Sequence, residues 1–375
     1  MKKIILTILA SFAVSGVYAC TSAIIAAKNT VNGRPLLWKH RDTGEENNKV
    51  ERTPAKDGNF EYVALYNASD KECKEAWMGY NSEGFAIMNT ASYNLKDDNI
   101  SSKKMDKEGV FMKRALEVCS SVADFKHFLD TLSRPMLVEA NFGVIDAEGN
   151  GGYYETNNYK YKEYNLADAK DGILIRTNYS HSGRVDDVGM GYIREQNMKE
   201  LVVPYLQKKN FTPATFTEDF SRRFYHSLLG KDYTDSGEEW LIDQDFIPRR
   251  SSTATTVIEG VKKGENPLLT TMWIGIGYPP CSEIRYVWLG EGGVPEDLRG
   301  LGKNGHSTLC DIVVARKHDV FSIKRGSGKH YLNLSKLYNA EGTGYSQQMK
   351  AKNEKIYKEG YEKLAKRRKE LSKKK

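Results

Sequence analysis

Several patterns are missing from this sequence, and each absence removes a class of protein. No apolar run beyond residue 19 is long enough to span a bilayer. The chain also has no internal repeat, no low-complexity tract and no linker rich in proline or glycine. No pair of cysteines has the CxxC or other spacing of metal ligands, so a zinc site is not expected; the five are Cys20, Cys73, Cys119, Cys281 and Cys310. The 375 residues, 39% of them hydrophobic, suffice for a large core in one big domain or two modest ones.

The net charge of +7 does not indicate nucleic-acid binding, because it is concentrated at one end. Residues 351–375 contain eleven Lys or Arg and four Glu, which accounts for the whole excess. Ile356, Tyr357, Tyr361 and Leu364 recur there at helical spacing beside charged faces. We expect a C-terminal helix that docks through one narrow apolar stripe and presents a solvated basic face. Contact with an anionic lipid or polysaccharide is the alternative.

The first nineteen residues have the pattern of a secretory signal. Lys2 and Lys3 precede an apolar stretch from Ile4 to Val14, and small residues follow. Val17 and Ala19 suit signal peptidase at positions −3 and −1 of a cleavage site. We therefore expect export to the periplasm or the medium, with Cys20 as the first residue of the mature protein.

A mature N-terminal cysteine carries a thiol and an α-amine on one residue, which together form a catalytic unit. The amine, with an ordinary pKa of roughly 7.7–8.0, can accept the thiol's proton near neutral pH. The thiolate can then attack a carbonyl without an activating histidine. Two other interpretations stay open. VYAC resembles a lipobox, in which Cys20 would be acylated and anchor the protein to a membrane, although Tyr18 fits that motif poorly. Alternatively, Cys20 is an ordinary buried residue.

Between these ends the pattern predicts strands with long helices inserted, an α+β arrangement. Thr21–Ala27 and Pro35–Lys39 indicate a strand pair that turns at Asn32–Gly33. Helical spacing covers 110–133 in two segments that separate near Ser120–Ser121. Further helices are expected at 192–207 and 217–229; further strands are expected at 62–66, 85–89, 140–145, 153–156, 161–164, 173–177, 253–259, 271–275 and 313–323.

Motifs in the same order along the chain resemble a known family. The opening CTSAIIAAKNTVNGRPLLWKHRD begins with Cys-Thr and returns to a basic residue and an Asp; YNSEGFAIMNTASYN, ANFGVIDAEGNGGYYE, ILIRTNYS and PRRSSTATTVI follow. Together they resemble the N-terminal-nucleophile cysteine amidohydrolases, which include penicillin V acylases, bile salt (choloylglycine) hydrolases and isopenicillin N acyltransferases. The resemblance covers residues 20–325 and implies a four-layer αββα sandwich. We expect a signal peptide at 1–19, a catalytic domain at 20–340 and a basic helical tail at 341–375.

The resemblance assigns a role to each candidate site residue. Cys20 would be the nucleophile through its sulfur and the base through its amine, and Asp42 would orient that amine. Lys39 would favour the thiolate by its charge, with Arg41 as the alternative. Asn178 would donate its side-chain amide to the tetrahedral oxyanion. The remaining candidates are Asn89 as the second donor, with Thr90 or Asn94 as alternatives, and Arg250, or Arg249, as the partner of a carboxylate near the site.

The implied reaction is hydrolysis of a linear amide through a thioester on Cys20, with no cofactor and no metal. The substrate would be a small N-acyl compound. If an amine outcompetes water, the same site is an N-acyltransferase. The alternative from another class is a lipid-anchored binding protein without catalysis. No nucleic-acid partner is expected, and a homo-oligomer is compatible with the sequence.

Overall fold

The computed structural model describes residues 19–185, 189–234 and 236–373. Apart from Ala19, the predicted signal segment lies outside the described residues. The strands run β1 (Thr21–Ile25), β2 (Leu36–Asp42), β3 (Asn48–Thr53), β4 (Tyr62–Asn67), β5 (Met78–Asn81), β6 (Ala86–Ala91), β7 (Ala140–Ile145), β8 (Gly151–Thr156), β9 (Tyr161–Asn165), β10 (Ile173–Arg176), β11 (Tyr225–His226), β12 (Lys231–Asp232), β13 (Trp240–Ile242), β14 (Ser252–Glu259), β15 (Thr271–Ile276), β16 (Ile284–Val287) and β17 (Tyr331–Asn333).

The α-helices lie mostly between and after these strands. They run α1 (Glu108–Val118), α2 (Val122–Thr131), α3 (Tyr192–Leu201), α4 (Val203–Lys208), α5 (Thr308–Val320) and α6 (Tyr345–Ser372). Among the described residues, no helix combines the length and the apolar character that crossing a membrane requires. The five cysteines, all at described positions, are unpaired.

Two antiparallel sheets form the centre of the molecule. One has six strands in the order β10-β1-β2-β14-β15-β16, and the other has seven in the order β3 to β9. The seven-stranded sheet is a meander in which each strand pairs with the next along the chain. The six-stranded sheet instead joins distant segments, since β1 pairs with β10 and β2 pairs with β14. The β1–β2 turn contains Gly33 at φ 68°, a left-handed conformation that favours glycine.

Alternation of side chains along the strands divides the core into layers. Ile24 and Leu37 point inward and pack with Val63 and Met88 of the second sheet. Ala23, Ile25 and Trp38 point outward, where α3, the Phe216–Phe220 segment and Tyr357 of α6 cover them. On the opposite side of the molecule, α1 and α2 cover the outer face of the seven-stranded sheet. The layers are therefore helix, sheet, sheet and helix, which confirms the predicted αββα fold.

Two element predictions are wrong, and tertiary packing explains both. The strand predicted at 313–323 is part of α5, whose Ser307 cap accepts a hydrogen bond from the Cys310 N–H. Val313, Lys317 and Val320 form the buried face of this helix, so helical spacing outweighs the strand preference of valine. The helix predicted at 217–229 ends early: a π-helical turn spans Thr215–Phe220 and strand β11 follows.

The C-terminal helix α6 docks through a narrow stripe, as expected. Tyr357 and Leu364 are buried, whereas Ile356 and Tyr361 are partly exposed. Tyr357 packs on Trp273 of β15 with ring centroids 4.7 Å apart. The stripe therefore anchors α6 to the outer face of the six-stranded sheet.

Candidate active site

Cys20 immediately precedes β1 and faces a cavity between the two sheets. The residue is 6% exposed, and its Sγ lies 3.8 Å from the backbone carbonyl oxygen of Asp42. The cavity has a volume of about 310 Å³, and Lys39, Asp42 and Asn89 also line it. Four of the six predicted site residues thus converge on one cavity, because β1, β2 and β6 meet at this point.

Lys39 is placed by the alternation of β2, whose residues Leu37, Lys39 and Arg41 share the face toward the second sheet. The Lys39 Nζ donates to Asn89 Oδ1 at 2.8 Å and to the Trp77 carbonyl at 3.0 Å. The pKa of Lys39 is lowered to about 8, chiefly by burial and also by nearby Arg41, while negative charge on Cys20 and Asp42 opposes the shift. Lys39 consequently remains a cation at neutral pH beside the thiol.

Arg41, the alternative to Lys39, lines the same cavity but is held elsewhere. Its guanidinium donates to the side chains of Asn48 and Asn67 and lies 5.2 Å from the centroid of the Trp77 ring. Both cations contribute to the potential in the cavity, and Lys39 also bonds to Asn89.

The carboxylate of Asp42 is buried and accepts three hydrogen bonds. Its Oδ2 accepts hydrogen bonds from Arg249 Nε at 3.0 Å and Nη2 at 2.6 Å, and its Oδ1 accepts one from Ser252 Oγ at 2.6 Å. The same Arg249 Nη2 donates to the carbonyl of Ala19. Arg249 therefore links the predicted orienting carboxylate to the residue just before the nucleophile.

His40 lies beneath this group and is neutral. Burial lowers its pKa to about 4, although Asp42 opposes the shift. Its Nε2 is 2.7 Å from Ser252 Oγ. Since the single Ser252 proton is donated to Asp42, we assign the imidazole proton to Nε2. His40 Nε2–H therefore donates a hydrogen bond to Ser252 Oγ, and the Ser252 hydroxyl donates one to Asp42 Oδ1.

Asn178 follows β10 and is completely buried behind the cavity wall. Its Nδ2 donates to the carbonyl of Ala91 at 2.9 Å, and Ala91 lines the cavity. Its Oδ1 accepts a hydrogen bond from Arg194 Nη2 at 2.8 Å. Asn89, by contrast, lies on the cavity wall itself.

Arg250 does not hold a carboxylate of this site; the adjacent Arg249 does. Arg250 is exposed, and its backbone N–H donates to Asp243 at 2.9 Å. The two side chains separate because the chain turns there into β14. Sequence reasoning missed Arg194 and the roles of His40 and Ser252. The run of small hydroxyl residues after Arg250 pointed toward Ser252, whereas no local signal marks Arg194.

Carboxyl groups also line the cavity. They belong to Glu75, Asp106, Glu108 and Glu139. Burial raises the pKa of Glu108 to about 7, and its Oε1 accepts the Glu139 backbone N–H at 2.9 Å. Across the described residues, no group of three or more His, Cys, Asp or Glu side chains is arranged to hold a metal ion.

Comparison with known proteins gives matches only among solved structures. No protein-family model and no curated protein matches the chain. A mutant conjugated bile acid hydrolase from Clostridium perfringens is similar at 11% identity, over 72% of this chain and 92% of that one, with a TM-score of 0.44. Penicillin V acylase from Agrobacterium tumefaciens is similar at 9% identity, over 72% and 86% of the chains, with a TM-score of 0.41. An N-acylethanolamine-hydrolyzing acid amidase ortholog from Caenorhabditis elegans is similar at 15% identity, over 66% and 93%, with a TM-score of 0.37. At these low identities and TM-scores, the assignment of a function rests on the geometry of the site.

Proposed function

We propose that this protein is an exported N-terminal-nucleophile amidohydrolase that cleaves a linear amide through a thioester on Cys20. The observation that carries the proposal is the position of the Cys20 thiol, which follows a signal-type segment directly and faces a cavity beside the Lys39 cation. Removal of residues 1–19 would convert the Cys20 backbone nitrogen into the α-amine that the reaction needs. Asp42 lines the same cavity, and in this proposal its carboxylate accepts a hydrogen bond from that amine.

The reaction proceeds in two balanced halves. The α-amine takes the proton from Sγ, and the thiolate forms a C–S bond to the amide carbonyl. The resulting oxyanion is stabilised by the Asn178 amide, with Asn89 as the second candidate donor. Collapse breaks the C–N bond while the α-ammonium returns the proton to the leaving amine. Water then attacks the thioester while the amine accepts its proton; collapse breaks the C–S bond, and the α-ammonium protonates the departing thiolate, which leaves the thiol and the free acid.

Burial of Cys20 supports a nucleophile over a lipid anchor. An acylated anchor must extend from the protein surface into a bilayer, yet Cys20 is 6% exposed and Ala19 beside it is 5% exposed. The cavity can accept a small acyl group at Sγ, whereas it cannot accept long chains on both the sulfur and the amine. Whether water or an amine receives the acyl group defines hydrolase or acyltransferase, and we propose the hydrolase.

The test is acylation of the mature protein by amides. Protein secreted by its native host would be incubated with p-nitroanilides of acetic, phenoxyacetic and fatty acids and quenched in acid. Its intact mass would then be measured by mass spectrometry. We expect a mass matching residues 20–375, a transient acyl adduct on Cys20 and release of p-nitroaniline. Cys20→Ala should remove both signals, and Cys73→Ser, at a partly buried cysteine outside the cavity, should remove neither. Turnover by Cys20→Ala, or a native mass heavier by lipid chains, would contradict the proposal.

A further inference from the structure

Arg194 is a buried cation that the reaction scheme above does not use. It lies in the first turn of α3, is 1% exposed, and forms no ion pair with a carboxylate among the residues the structure describes. An arginine buried without a carboxylate is costly unless its N–H groups are bonded. We therefore expect the hydrogen bonds of Arg194 to compensate for the burial of its charge.

Those contacts join the nucleophile residue to the predicted oxyanion donor. Nη1 donates to the Cys20 carbonyl and, at 2.8 Å, to Thr21 Oγ1. Nη2 donates to Asn178 Oδ1 at 2.8 Å. One planar group thus binds residues that are more than 150 positions apart in the sequence.

The absence of a side chain at Gly191 leaves space for the guanidinium of Arg194. Gly191 has φ 90°, and a Cβ there would lie 2.4 Å from Arg194 Nη2. No larger residue fits at 191 without displacing the guanidinium or straining the backbone.

The bond to Arg194 also fixes which edge of the Asn178 amide is available. Guanidinium is a donor only, so Oδ1 must face it and the amino group must face away. One N–H of that amino group bonds to Ala91 on the cavity wall, and the oxyanion role proposed for Asn178 requires the other. With the amide flipped, the amino group would oppose the guanidinium and an oxygen would face the developing negative charge.

After residues 1–19 are removed, Cys20 becomes a chain terminus, and its position then depends more on the hydrogen bond from Arg194. The first residue of a chain frays unless it is tied down, and Cys20 precedes the first paired residue of β1. We propose that Arg194 is a positioning residue that holds Cys20 and the Asn178 amide in one fixed arrangement, so that the oxyanion forms where the amide donates. This inference rests on the proposed function and concerns the acylation step.

The test separates acylation, which passes through an oxyanion, from alkylation, which does not. Mature wild-type protein and the variants Arg194→Lys, Gly191→Ala and Asn178→Ala would be treated with p-nitrophenyl acetate or with iodoacetamide. Modification of Cys20 would be followed by intact mass. Arg194→Lys keeps the charge but loses the planar fork of donors. The control is Arg223→Lys, a surface arginine in ion pairs with Asp219 and Asp232.

We expect Arg194→Lys and Gly191→Ala each to slow acetylation of Cys20 at least tenfold while alkylation changes by less than about twofold; loss of an oxyanion donor itself costs about 10²–10³. Asn178→Ala should behave likewise, and adding Arg194→Lys to it should cost nothing further, because both changes remove the same function. Arg223→Lys should match the wild type.

The contrary outcomes are distinct. Unchanged acetylation in Arg194→Lys and Gly191→Ala, equal loss of acetylation and alkylation, or multiplicative losses in the double variant would refute the role of Arg194 alone. A wild-type Cys20 that is alkylated but never acetylated would refute the proposed function. Thermal unfolding of each variant shows whether the protein is folded during the assay.

Discussion

At the scale of single residues, two adjacent arginines provide an internal comparison. Arg249 pairs with the buried Asp42 carboxylate at 2.6 Å, and Arg250 is exposed. We predict that Arg249→Met lowers the free energy of unfolding by about 3 kcal/mol or more, because it leaves a buried carboxylate without its cation. Arg250→Met should change it by less than about 0.5 kcal/mol. Urea denaturation of both variants measures the difference, and similar losses would contradict the assignment of Arg249.

A second prediction concerns pH and Glu108 in the cavity wall. Burial raises the pKa of Glu108 to about 7 from its ordinary 4.5, so the folded state holds a proton that the unfolded state has released. The stabilising effect is complete below pH 4.5 and disappears as pH rises through 7. The free energy of unfolding should therefore fall by about 3 kcal/mol over that window, relative to Glu108→Gln.

Glu108→Gln keeps the oxygen that accepts the Glu139 N–H, which makes it a suitable probe. Urea denaturation from about pH 4.5 to about pH 8 should show the wild-type curve declining against that of the variant. Glu362→Gln, an exposed carboxylate on α6, should run parallel to the wild type. Parallel curves for wild type and Glu108→Gln would show that Glu108 is ionised in the folded protein at neutral pH.

At the scale of elements, substitution of Gly360 in α6 by alanine combines a gain in helix propensity with a loss from overpacking. Alanine is favoured over glycine in a helix by about 1 kcal/mol. At Gly360, however, a Cβ would lie 2.6 Å from the Trp273 ring and 2.9 Å from Tyr286. Overpacking of this kind costs about 1–3 kcal/mol. We predict that Gly360→Ala lowers the thermal unfolding temperature while Lys358→Ala on the exposed face does not; a stabilised Gly360→Ala would show that α6 packs less closely.

The sequence allowed prediction of elements whose signals are local. The turn at Asn32–Gly33 and the break between α1 and α2 at Ser121 are confirmed, because glycine at positive φ and a serine cap act on their immediate neighbours. Helix α5 was mistaken for a strand because valine's preference is weaker than the burial of one helical face. The short strand β5 was not predicted because its four residues, MGYN, alternate too little to be recognised.

The site also divides into contacts that are local in the sequence and contacts that depend on tertiary packing. Cys20, Lys39 and Asp42 lie on one hairpin, so their meeting follows from β pairing over 22 residues. Arg194 reaches Cys20 across 174 residues, and its role depends on where α3 packs. Periodicity carries no information about such a contact. A buried arginine of this kind is visible only in three dimensions.

At the scale of the whole molecule, the strand order has a consequence for the time course of folding. In the seven-stranded sheet, each strand pairs with the next along the chain. In the six-stranded sheet, β1 also pairs with β10, 154 residues away, and β2 pairs with β14, 210 residues away. Long-range pairing is slow because loop closure must precede it. We therefore expect the hairpin that bears the nucleophile to complete its pairing after the seven-stranded sheet, although it precedes that sheet in the sequence. Pulse-labelling hydrogen exchange during refolding should protect β4–β8 before β1 and β14, which would mean that Cys20 gains its surroundings only after the seven-stranded sheet has formed.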